Sequence, residues 1–523
     1  MTTGIQIAAR KVSSANPATG EVLRELECAS ESEVRSVVAR ARAAQAGWTE
    51  IGVRKRIAVL REFQHKLQAK KSEIAEAITR EAGKPVAEAL TTEVLVVLDA
   101  ARFLIDNAYR LLRDEPVSHG NLATKLKTGR LVREPYGVVG IISPWNYPFS
   151  IPATETLAAL VAGNAVVLKP SEFTSLVALE LQSLLHSAGV PRGVFQVVVG
   201  DGVTGAALIH SEIDKLVFTG SVVTGKRIAA AAAERLLPVV LELGGKDPML
   251  VLDDADVDVA SSAAVWGAFV NAGQTCLSVE RCYVHRSLYE EFLRDCTEKT
   301  KKLRVGHGLD RETDVGPMIH EGQLRIVEAH VEDAVARGAR VLAGGSRLRE
   351  RGKNFYEPTL LADVTHEMRI MREETFGPVL PVLAFDTDEE AVQLANDSEY
   401  GLAASVWTRD RARGERLARR IQAGTVMVND VVSCFGISEA PHGGIKSSGL
   451  GRAHGRFGLE EMVRLKYLDS DLVPGMKKVW WYGYGARFAW QMEGFIDFQF
   501  ARGLGARVRG LLRSAGVVGR KQL

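Results

Sequence analysis

The sequence predicts an α/β fold built from parallel, doubly wound sheets. Two observations predict it: short apolar runs alternate with helical segments between residues 136 and 443, and each run ends in turn-forming residues before the next helix. This alternation is typical of βαβ units, whose strands lie parallel and whose ligands bind beyond the carboxyl ends of the strands. We therefore expect the functional residues of the first sheet to lie just after its strands.

Length and composition limit the classes of function. The chain has 523 residues, 46% hydrophobic and 25% charged, which is typical of a folded protein with two or three domains. Its 66 basic and 64 acidic residues leave a net charge of +2, so charge gives no support for general nucleic-acid binding. The first thirty residues lack the apolar core of a signal peptide, and no run of 18 apolar residues predicts a membrane span. We expect a cytoplasmic protein.

The cysteines predict reduced thiols. They are odd in number and scattered, and they form neither a disulfide framework nor a CxxC pair, so no metal site is expected. They are Cys28, Cys276, Cys282, Cys296 and Cys434. A lone cysteine is by itself typical of apolar packing, so the chemical role of Cys276 in NAGQTCLS depends on the rest of the sequence.

The elements follow in order along the chain. Residues 31–113 have the helical spacing of Ala, Leu, Glu and Arg, and Gly83 and Pro85 end one helical run. Strands of a first sheet are predicted in GVVGIISPWNYP, NAVVLKPSE, GVFQVVVGDG, KLVFTGSVVTG and LPVVLELGGKDP. A second α/β domain is predicted from DPMLVLDDAD to about residue 443, with its clearest elements in ERCYVHRS, ARVLAGGS, VLPVLAFDTDEE and AGTVMVND.

Two further regions stand outside these domains. Strand-like stretches near 124–138 and 462–473 have no core of their own, so they can pair with each other or with another subunit. The tail from residue 474 holds three of the seven tryptophans, followed by a short basic amphipathic pattern. In that pattern Leu504, Val508, Leu511 and Leu512 lie opposite Arg502, Arg509 and Arg513. Two interpretations stay open: the tail folds against its own domain or a partner subunit, or it adsorbs to an anionic membrane surface.

Two turns are candidates for binding a nucleotide. The chain has no GxGxxG after a strand, but FTGSVVTG places Gly220, Ser221 and Gly225 at a strand-to-helix turn, where backbone amides can receive a phosphate. VLKPSE places Lys169 and Glu172 just after another strand, where they can bind ribose hydroxyls. Each turn taken alone is weak evidence for a cofactor.

Seven segments taken together carry a specific resemblance. They are PWNYPF, VLKPSE, FTGSVVTG, LELGGKDP, NAGQTCLS, EETFGPV and PHGGIKSSGLGR. Their order and approximate spacing resemble those of the aldehyde dehydrogenase superfamily across about residues 15–470. The resemblance implies an enzyme that oxidises aldehydes to carboxylic acids with reduction of NAD or NADP. It also implies a Rossmann-like cofactor domain, a second α/β catalytic domain and a small β oligomerisation arm.

The resemblance assigns three catalytic roles. Cys276 matches the nucleophile, whose thiolate adds to the aldehyde carbonyl and passes through a thiohemiacetal and a thioester. Asn146 matches the residue whose amide, with the backbone N–H of Cys276, stabilises the oxyanion. Glu242 matches the general base that activates water for thioester hydrolysis, and a raised pKa would suit that role. CoA-acylating members generally lack this glutamate, so its presence favours release of a free acid.

The resemblance also assigns the cofactor ligands. Lys169 and Glu172 match the adenosine-ribose ligands, Ser221 matches a pyrophosphate contact beside Gly220 and Gly225, and Glu374 matches the nicotinamide-ribose ligand. Phe376 is expected to pack beside the nicotinamide ring, and Trp145 is expected to bind the cofactor. The charge of Glu172 would repel the 2'-phosphate of NADP, so NAD is the first choice and NADP stays possible.

The expected organisation and substrate complete the prediction. The domains are 1–114 with 136–244 for NAD, 245–443 for catalysis, 115–135 with 444–473 for the arm, and 474–523 for the extension. His442, where phenylalanine is common, and Cys434 are expected to be structural. The aromatic extension resembles the C-terminal extensions of some members that oxidise long-chain or hydrophobic aldehydes, which implies an apolar aldehyde, of medium or long chain or aromatic. Peripheral membrane contact through residues 474–523 is the second expectation for this extension. A homo-oligomer, either a dimer or a tetramer, is expected. The alternatives are a CoA-acylating enzyme, a succinic-semialdehyde-type dehydrogenase and a non-enzymatic binding protein on the same scaffold.

Overall fold

The computed structural model describes residues 10–517. Its strands are β1 Lys11–Ala15, β2 Val22–Glu27, β3 Glu115–Val117, β4 Lys127–Pro135, β5 Val138–Ile142, β6 Ala165–Lys169, β7 Phe195–Val197, β8 Lys215–Thr219, β9 Val239–Glu242, β10 Asp247–Val251, β11 Val279–His285, β12 Arg340–Ala343, β13 Thr359–Ala362, β14 Val379–Phe385, β15 Ala403–Trp407, β16 Thr425–Val428, β17 Gly449–Leu450 and β18 Val463–Asp471.

The α-helices of the same residues are α1 Glu31–Glu50, α2 Gly52–Ala69, α3 Lys71–Ala82, α4 Val86–Glu88, α5 Leu95–Leu111, α6 Ser150–Ala162, α7 Ser175–Ser187, α8 Gly202–Ile209, α9 Val222–Ala233, α10 Val257–Phe269, α11 Tyr289–Lys301, α12 Glu321–Ala336, α13 Arg369–Arg372, α14 Asp388–Asn396, α15 Arg411–Ala418, α16 Gly455–Glu460, α17 Ala486–Phe500 and α18 Leu504–Ser514. A π-helical turn, Ala89–Val94, joins α4 to α5.

Short polar side chains fix where several helices begin. Ser30 and Glu33 form a reciprocal capping box at α1, and Ser221 caps α9 by accepting a hydrogen bond from the Thr224 N–H. Gly163, with φ +104°, ends α6 in the left-handed conformation that L residues disfavour. These residues therefore fix the starts of α1 and α9 and the end of α6.

The first sheet has the strand order β17-β9-β8-β5-β6-β7. Strands β5 to β9 are parallel, and β17 pairs antiparallel with β9 at the edge. Apolar side chains alternate between the two faces: Val139 and Ile141 of β5 enter one core, while Val138 enters the other. All five strands predicted for this sheet are confirmed. Burial on both faces explains why they are nearly continuous apolar runs.

The second sheet has the order β12-β13-β14-β11-β10-β15-β16, and only the β12–β13 pair in it is antiparallel. Its core includes the buried side chains of Met249, Phe292, Leu360 and Phe385. The strand segments predicted for the second α/β pattern all lie in this sheet.

The described chain forms two compact units. One contains residues up to 112 with 134–464, and the other contains 113–133 with the residues from 465 onward. The second unit includes a three-stranded sheet of order β18-β4-β3, together with α17 and α18. The two strand-like stretches therefore pair with each other, which was one of the two predicted arrangements. The finer division into cofactor, catalytic and arm domains stays a prediction.

The state of the cysteines, the potential metal ligands and the lengths of the helices complete the description of the fold. All five cysteines are free thiols. Within residues 10–517, no group of three or more His, Cys, Asp and Glu side chains is arranged to hold a metal ion. The helices in that range lack the length and apolar character needed to cross a bilayer.

Candidate active site

The loop after β5 is held in place by a buried ion pair. Lys84 Nζ lies 2.7 Å from Glu93 Oε1 and donates a hydrogen bond of 2.7 Å to the backbone oxygen of Asn146. The other carboxylate oxygen of Glu93 accepts the N–H groups of Phe149 and Ser150 at 2.9 and 2.8 Å. Because both charged groups are fully buried, removing either partner would leave an uncompensated charge. The pair therefore fixes the backbone that carries Asn146.

Cys276 follows a strained turn at the end of α10. Asn271, Ala272 and Gly273 all have positive φ angles, of 55°, 54° and 71°. Non-glycine residues in this conformation persist only where surrounding contacts enforce it. Asn271 Nδ2 supplies such contacts, because it donates to the backbone oxygens of Asn146 at 2.9 Å and Gln274 at 3.1 Å. The turn thus joins the two loops that carry Asn146 and Cys276.

A cavity of about 300 Å³ brings together most of the predicted site residues. Those that line it are Trp145, Asn146, Gly220, Ser221, Glu242, Cys276, Glu374 and Phe376. Three predicted residues do not line this cavity. Lys169 and Glu172 form a separate pair with Nζ and Oε2 3.6 Å apart, and Gly225 packs against Leu243, where a Cβ would lie 2.4 Å from a leucine methyl group.

The two sheets supply the site from opposite strand ends. Asn146, Gly220 and Glu242 lie at or after the carboxyl ends of β5, β8 and β9, as predicted for the first sheet. Cys276 and Glu374 instead precede β11 and β14, at the amino ends of strands in the second sheet. The rule for carboxyl ends therefore locates only half of the site.

Glu242 is a buried carboxyl group with few stabilising contacts. Its side chain is 4% exposed, and neither oxygen has a hydrogen-bond partner of normal geometry among residues 10–517. Burial, and then the charge of Glu155, raise the pKa of Glu242 well above its usual value. The nearest basic group, Nε2 of His442, is 4.0 Å away. A carboxyl group with a raised pKa is suited to exchange protons near neutral pH.

The Cys276 thiol lies partly buried among carboxyl groups. Burial raises its pKa well above the usual value, and the charges of Asp247, Glu374 and Glu242 raise it further. The thiolate therefore needs either a positive charge brought into the cavity or a base that takes the proton. Glu242, on the wall of the same cavity, is such a base.

Asn146 presents a side-chain amide to the same cavity. The amide is buried, and Nδ2 donates one hydrogen bond of 3.1 Å to the backbone oxygen of Gln274. An amide nitrogen has two hydrogens, so a second one is available for a ligand oxygen. This arrangement can stabilise a negative charge that develops next to Cys276.

Several features fit a dinucleotide cofactor. Gly220 and Ser221, which directly precede the 12-residue helix α9, line the cavity near the positive terminus of that helix. Glu374 Oε1 accepts the Gly245 N–H at 3.0 Å, and a Cβ on Gly244 would lie 2.4 Å from Glu374 Oε2. Burial, with the charge of Glu280, raises the pKa of Glu374 to about 8. Phe376 and Trp145 meet edge to face, with centroids 5.4 Å apart.

A polar cluster behind Glu242 was missed from the sequence. A small cavity of about 20 Å³ is lined by Glu155, Glu242, Cys276, His442 and His454, among others. Burial raises the pKa of Glu155 to about 8 and lowers those of His442 and His454 to about 3 and about 4, so both histidines are neutral at physiological pH. One signal was available, because Glu155 is the only charged residue in the apolar helix α6.

The sequence of this chain is similar to those of known proteins over most of its length. The model of the Aldehyde dehydrogenase family matches residues 5–468. The 4,4'-diapolycopene aldehyde oxidase of Methylomonas sp is 42% identical over 490 residues, which cover 93% of this chain and 91% of that protein. A putative NADP(+)-type succinate-semialdehyde dehydrogenase of Mycolicibacterium smegmatis is 41% identical over 457 residues, which cover 87% of each chain.

A solved structure is similar over nearly the same length. The crystal structure of an NAD-dependent aldehyde dehydrogenase from Sinorhizobium meliloti has a TM-score of 0.85 and 38% identity, and the match covers 90% of this chain and 93% of that chain. The predicted α/β fold class, with its Rossmann-like sheet, is therefore confirmed.

Proposed function

This chain belongs to the aldehyde dehydrogenase family, and on that premise we propose that it oxidises an apolar aldehyde to the carboxylic acid with NAD as the oxidant. The observation that carries the proposal is the single cavity that Cys276, Glu242 and Asn146 share. A nucleophile, a base and an oxyanion donor are the three groups that acyl transfer through a thioester requires.

The first half-reaction forms the thioester. The thiol proton of Cys276 passes to Glu242 or to water, and the Cys276 Sγ adds to the aldehyde carbonyl carbon. The resulting oxyanion accepts hydrogen bonds from Asn146 Nδ2 and from the backbone N–H of Cys276. A bound NAD would accept the hydride that leaves this carbon as the C=O bond of the thioester re-forms. Since the Glu93–Lys84 pair fixes the backbone of Asn146, the amide needs little reorganisation as charge develops.

The second half-reaction releases the acid. Glu242 first releases any proton taken from the thiol to solvent. The ionised carboxylate then takes a proton from water, and the hydroxide equivalent attacks the thioester carbon and expels the Cys276 thiolate. This step requires the ionised carboxylate, so its rate is expected to rise with pH up to the raised pKa of Glu242. A base placed to activate water favours a free acid over an acyl group passed to CoA.

The lining of the site supports an uncharged substrate. No Lys or Arg lines either cavity that contains Cys276, within the described part of the chain. The apolar residues beside Cys276 are Leu277, Leu402, Ala403 and Cys434, with Phe435 packed against them. Succinic semialdehyde carries a carboxylate, which would be desolvated here among acidic groups without a cation to pair with. The Methylomonas relative, by contrast, is named as a 4,4'-diapolycopene aldehyde oxidase.

The cofactor preference rests on Glu172. Its side chain is 39% exposed beside Lys169, and its negative charge would repel a 2'-phosphate while accepting hydrogen bonds from ribose hydroxyls. This supports NAD as the main cofactor, with NADP used less efficiently. Lys169 and Glu172 would hold the adenosine ribose, and Glu374 the nicotinamide ribose.

The substrate proposal is tested with purified protein and a panel of aldehydes. Reduced-cofactor formation is followed at 340 nm with hexanal, dodecanal, benzaldehyde and succinic semialdehyde, with NAD and with NADP. We expect kcat/KM for dodecanal to exceed that for succinic semialdehyde by about 100-fold, which corresponds to roughly 2.7 kcal/mol. Preference for succinic semialdehyde would contradict the apolar substrate. Formation of a CoA ester in place of the acid, when CoA is added, would contradict the hydrolytic reaction.

The charge of Glu155 next to Glu242 predicts a change in the pH dependence of thioester hydrolysis. Because the charge of Glu155 raises the pKa of Glu242, Glu155→Gln should lower that pKa and move the rising limb of thioester hydrolysis to lower pH. In a single-turnover experiment at pH 8, the Glu155→Gln enzyme is expected to hydrolyse the thioester about threefold faster than the parent enzyme. Glu389→Gln, which removes a surface carboxylate bound by Arg420, is the matched control. An unchanged profile for Glu155→Gln would exclude electrostatic coupling between the two groups.

A further inference from the structure

We propose that the helical hairpin of α17 and α18, with the aromatic segment 480–484 before it, docks on the surface of an anionic phospholipid bilayer. The residues of this surface do not line the Cys276 cavity, and the docking does not depend on the proposed reaction. The proposal rests on how the hairpin packs, which side chains it exposes and which charges surround them.

The hairpin has small and polar residues where the two helices meet. A Cβ on Gly494 would lie 2.4 Å from the Arg513 Cβ, and one on Gly510 would lie 2.4 Å from the Phe498 backbone nitrogen. The buried residues of the two helices are Gln491, Gly494, Gly510 and Ser514. Helix pairs in water usually bury large apolar side chains between them, whereas close packing on small residues is typical of helices in lipid.

The large apolar side chains point outward instead. Phe500, Leu504 and Leu512 are 70%, 80% and 70% exposed. Trp490, Ile496, Val508 and Leu511 are exposed as well. Exposed apolar side chains that share one helix face, as those of α18 do, are typical of an interaction site.

The apolar residues of α18 lie on one face. At 100° per residue, Leu504, Val508, Leu511 and Leu512 fall within an arc of roughly 100°, and Gly510 lies on the side that faces α17. Arg507 and Arg509 flank the two edges of this arc. An apolar face bordered by arginines is typical of helices that lie in the plane of a bilayer interface.

The charges favour an anionic surface over a second copy of the chain. Between residues 474 and 517 there are seven basic side chains and two acidic ones, and both acidic groups, Glu493 and Asp497, bind Arg513. Within residues 474–517 no acidic residue is left to pair with the other four arginines, which are Arg487, Arg502, Arg507 and Arg509. Two copies of such a face would repel each other, whereas lipid phosphates would attract it.

The aromatic segment fits the same partner. Trp480, Trp481, Tyr482 and Tyr484 are all exposed. Trp and Tyr concentrate at the headgroup level of membranes because their rings are apolar and their N–H and O–H groups bind water. Helices of 15 and 11 residues are too short to span the hydrocarbon layer, so the hairpin would lie on the bilayer.

Docking would place the enzyme beside substrates dissolved in lipid. The match to the Methylomonas oxidase covers 93% of this chain and must therefore extend beyond residue 473, whereas the match to the Mycolicibacterium protein covers 87%. Part of the extension is thus shared with the relative that is named as a 4,4'-diapolycopene aldehyde oxidase. This last step, unlike the docking itself, rests on the proposed function.

The test is cosedimentation of the full chain with vesicles. One set contains phosphatidylcholine alone, and the other contains phosphatidylcholine and phosphatidylglycerol in a 3:1 ratio. We expect binding to the anionic vesicles, at least tenfold weaker binding to the neutral ones, and release by salt. Leu504→Ser/Leu511→Ser/Leu512→Ser should reduce binding at least tenfold. These side chains are exposed, so the substitutions should leave the fold intact.

Matched variants show whether the hairpin itself carries the binding. Val203→Ser/Val223→Ser/Leu236→Ser removes three exposed apolar side chains outside the hairpin and should bind like the parent protein. Cys276→Ala should also bind like the parent, so a failure of the reaction would leave the docking result interpretable. The proposal is overturned if the parent protein does not sediment with anionic vesicles. It is also overturned if the hairpin variant binds vesicles normally, or if that variant loses only its oligomeric state in sedimentation velocity.

Discussion

Cys276→Ala is expected to lower kcat for aldehyde oxidation by about four orders of magnitude, because removal of a covalent nucleophile leaves only binding and orientation. The carboxyl groups around Cys276 cannot replace it as the nucleophile. If Glu242 attacked the aldehyde, the product would be an acyl anhydride, which has no thiolate leaving group and is not formed at the sulfur atom beside the Asn146 amide. The measurement is the rate of NADH formation with saturating dodecanal and NAD.

Cys434→Ala is the matched control for this experiment. Cys434 belongs to the same apolar cluster, and burial raises the pKa of its thiol to about 12, so it is a poor nucleophile. We expect its kcat to stay within about threefold of that of the parent enzyme, as for a small change in packing. Residual activity of Cys276→Ala near the parent value, or a larger loss in Cys434→Ala, would show that Cys276 is not the nucleophile.

Glu242→Gln is expected to lower steady-state kcat by about 1,000-fold while leaving thioester formation possible. Loss of the carboxylate removes one of the charges that raise the pKa of Cys276, so the thiolate becomes easier to form. However, no carboxylate is left at this position to deprotonate the water that attacks the thioester. Rapid mixing with NAD and dodecanal should therefore give a burst of one NADH per active site followed by almost no turnover.

Mass spectrometry of the quenched protein checks the trapped species. The Glu242→Gln enzyme should gain the mass of one acyl group on Cys276, and the parent enzyme should not accumulate it. Glu389→Gln serves again as the control for loss of a surface carboxylate. If Glu242→Gln shows neither a burst nor an adduct, Glu242 acts before hydride transfer. If it turns over normally, another group activates water.

The sequence was sufficient for much of this molecule because its strong signals are local. Parallel strands buried on both faces are continuous apolar runs, and turn residues mark their ends, so β5 to β9 could be predicted one by one. The motif segments likewise carry Asn146, Glu242 and Cys276 within a few residues of recognisable turns. The cavity that they share follows from the order of strands, which the sequence does not state.

What the sequence could not provide depends on contacts between distant segments. Lys84 supports Asn146 across 62 positions, and no local pattern connects the two residues. His454 and Glu155 meet behind Glu242 only because α6 and the loop before α16 converge there. The tail showed its amphipathic face, but its hairpin packing on Gly494 and Gly510 appears only when both helices are placed. Gly494 and Gly510 are thus the residues on which the helices meet.

The pairing of β17 with β9 constrains how the enzyme is made on the ribosome. Glu242 ends β9, and the strand that covers its open edge is translated roughly 200 residues later, after the whole second sheet. Until then the nascent first sheet exposes an unpaired edge next to its future base, which is a site for mispairing with other chains. A chain that terminates early, before residue 449, would hold every catalytic side chain and still be prone to aggregate.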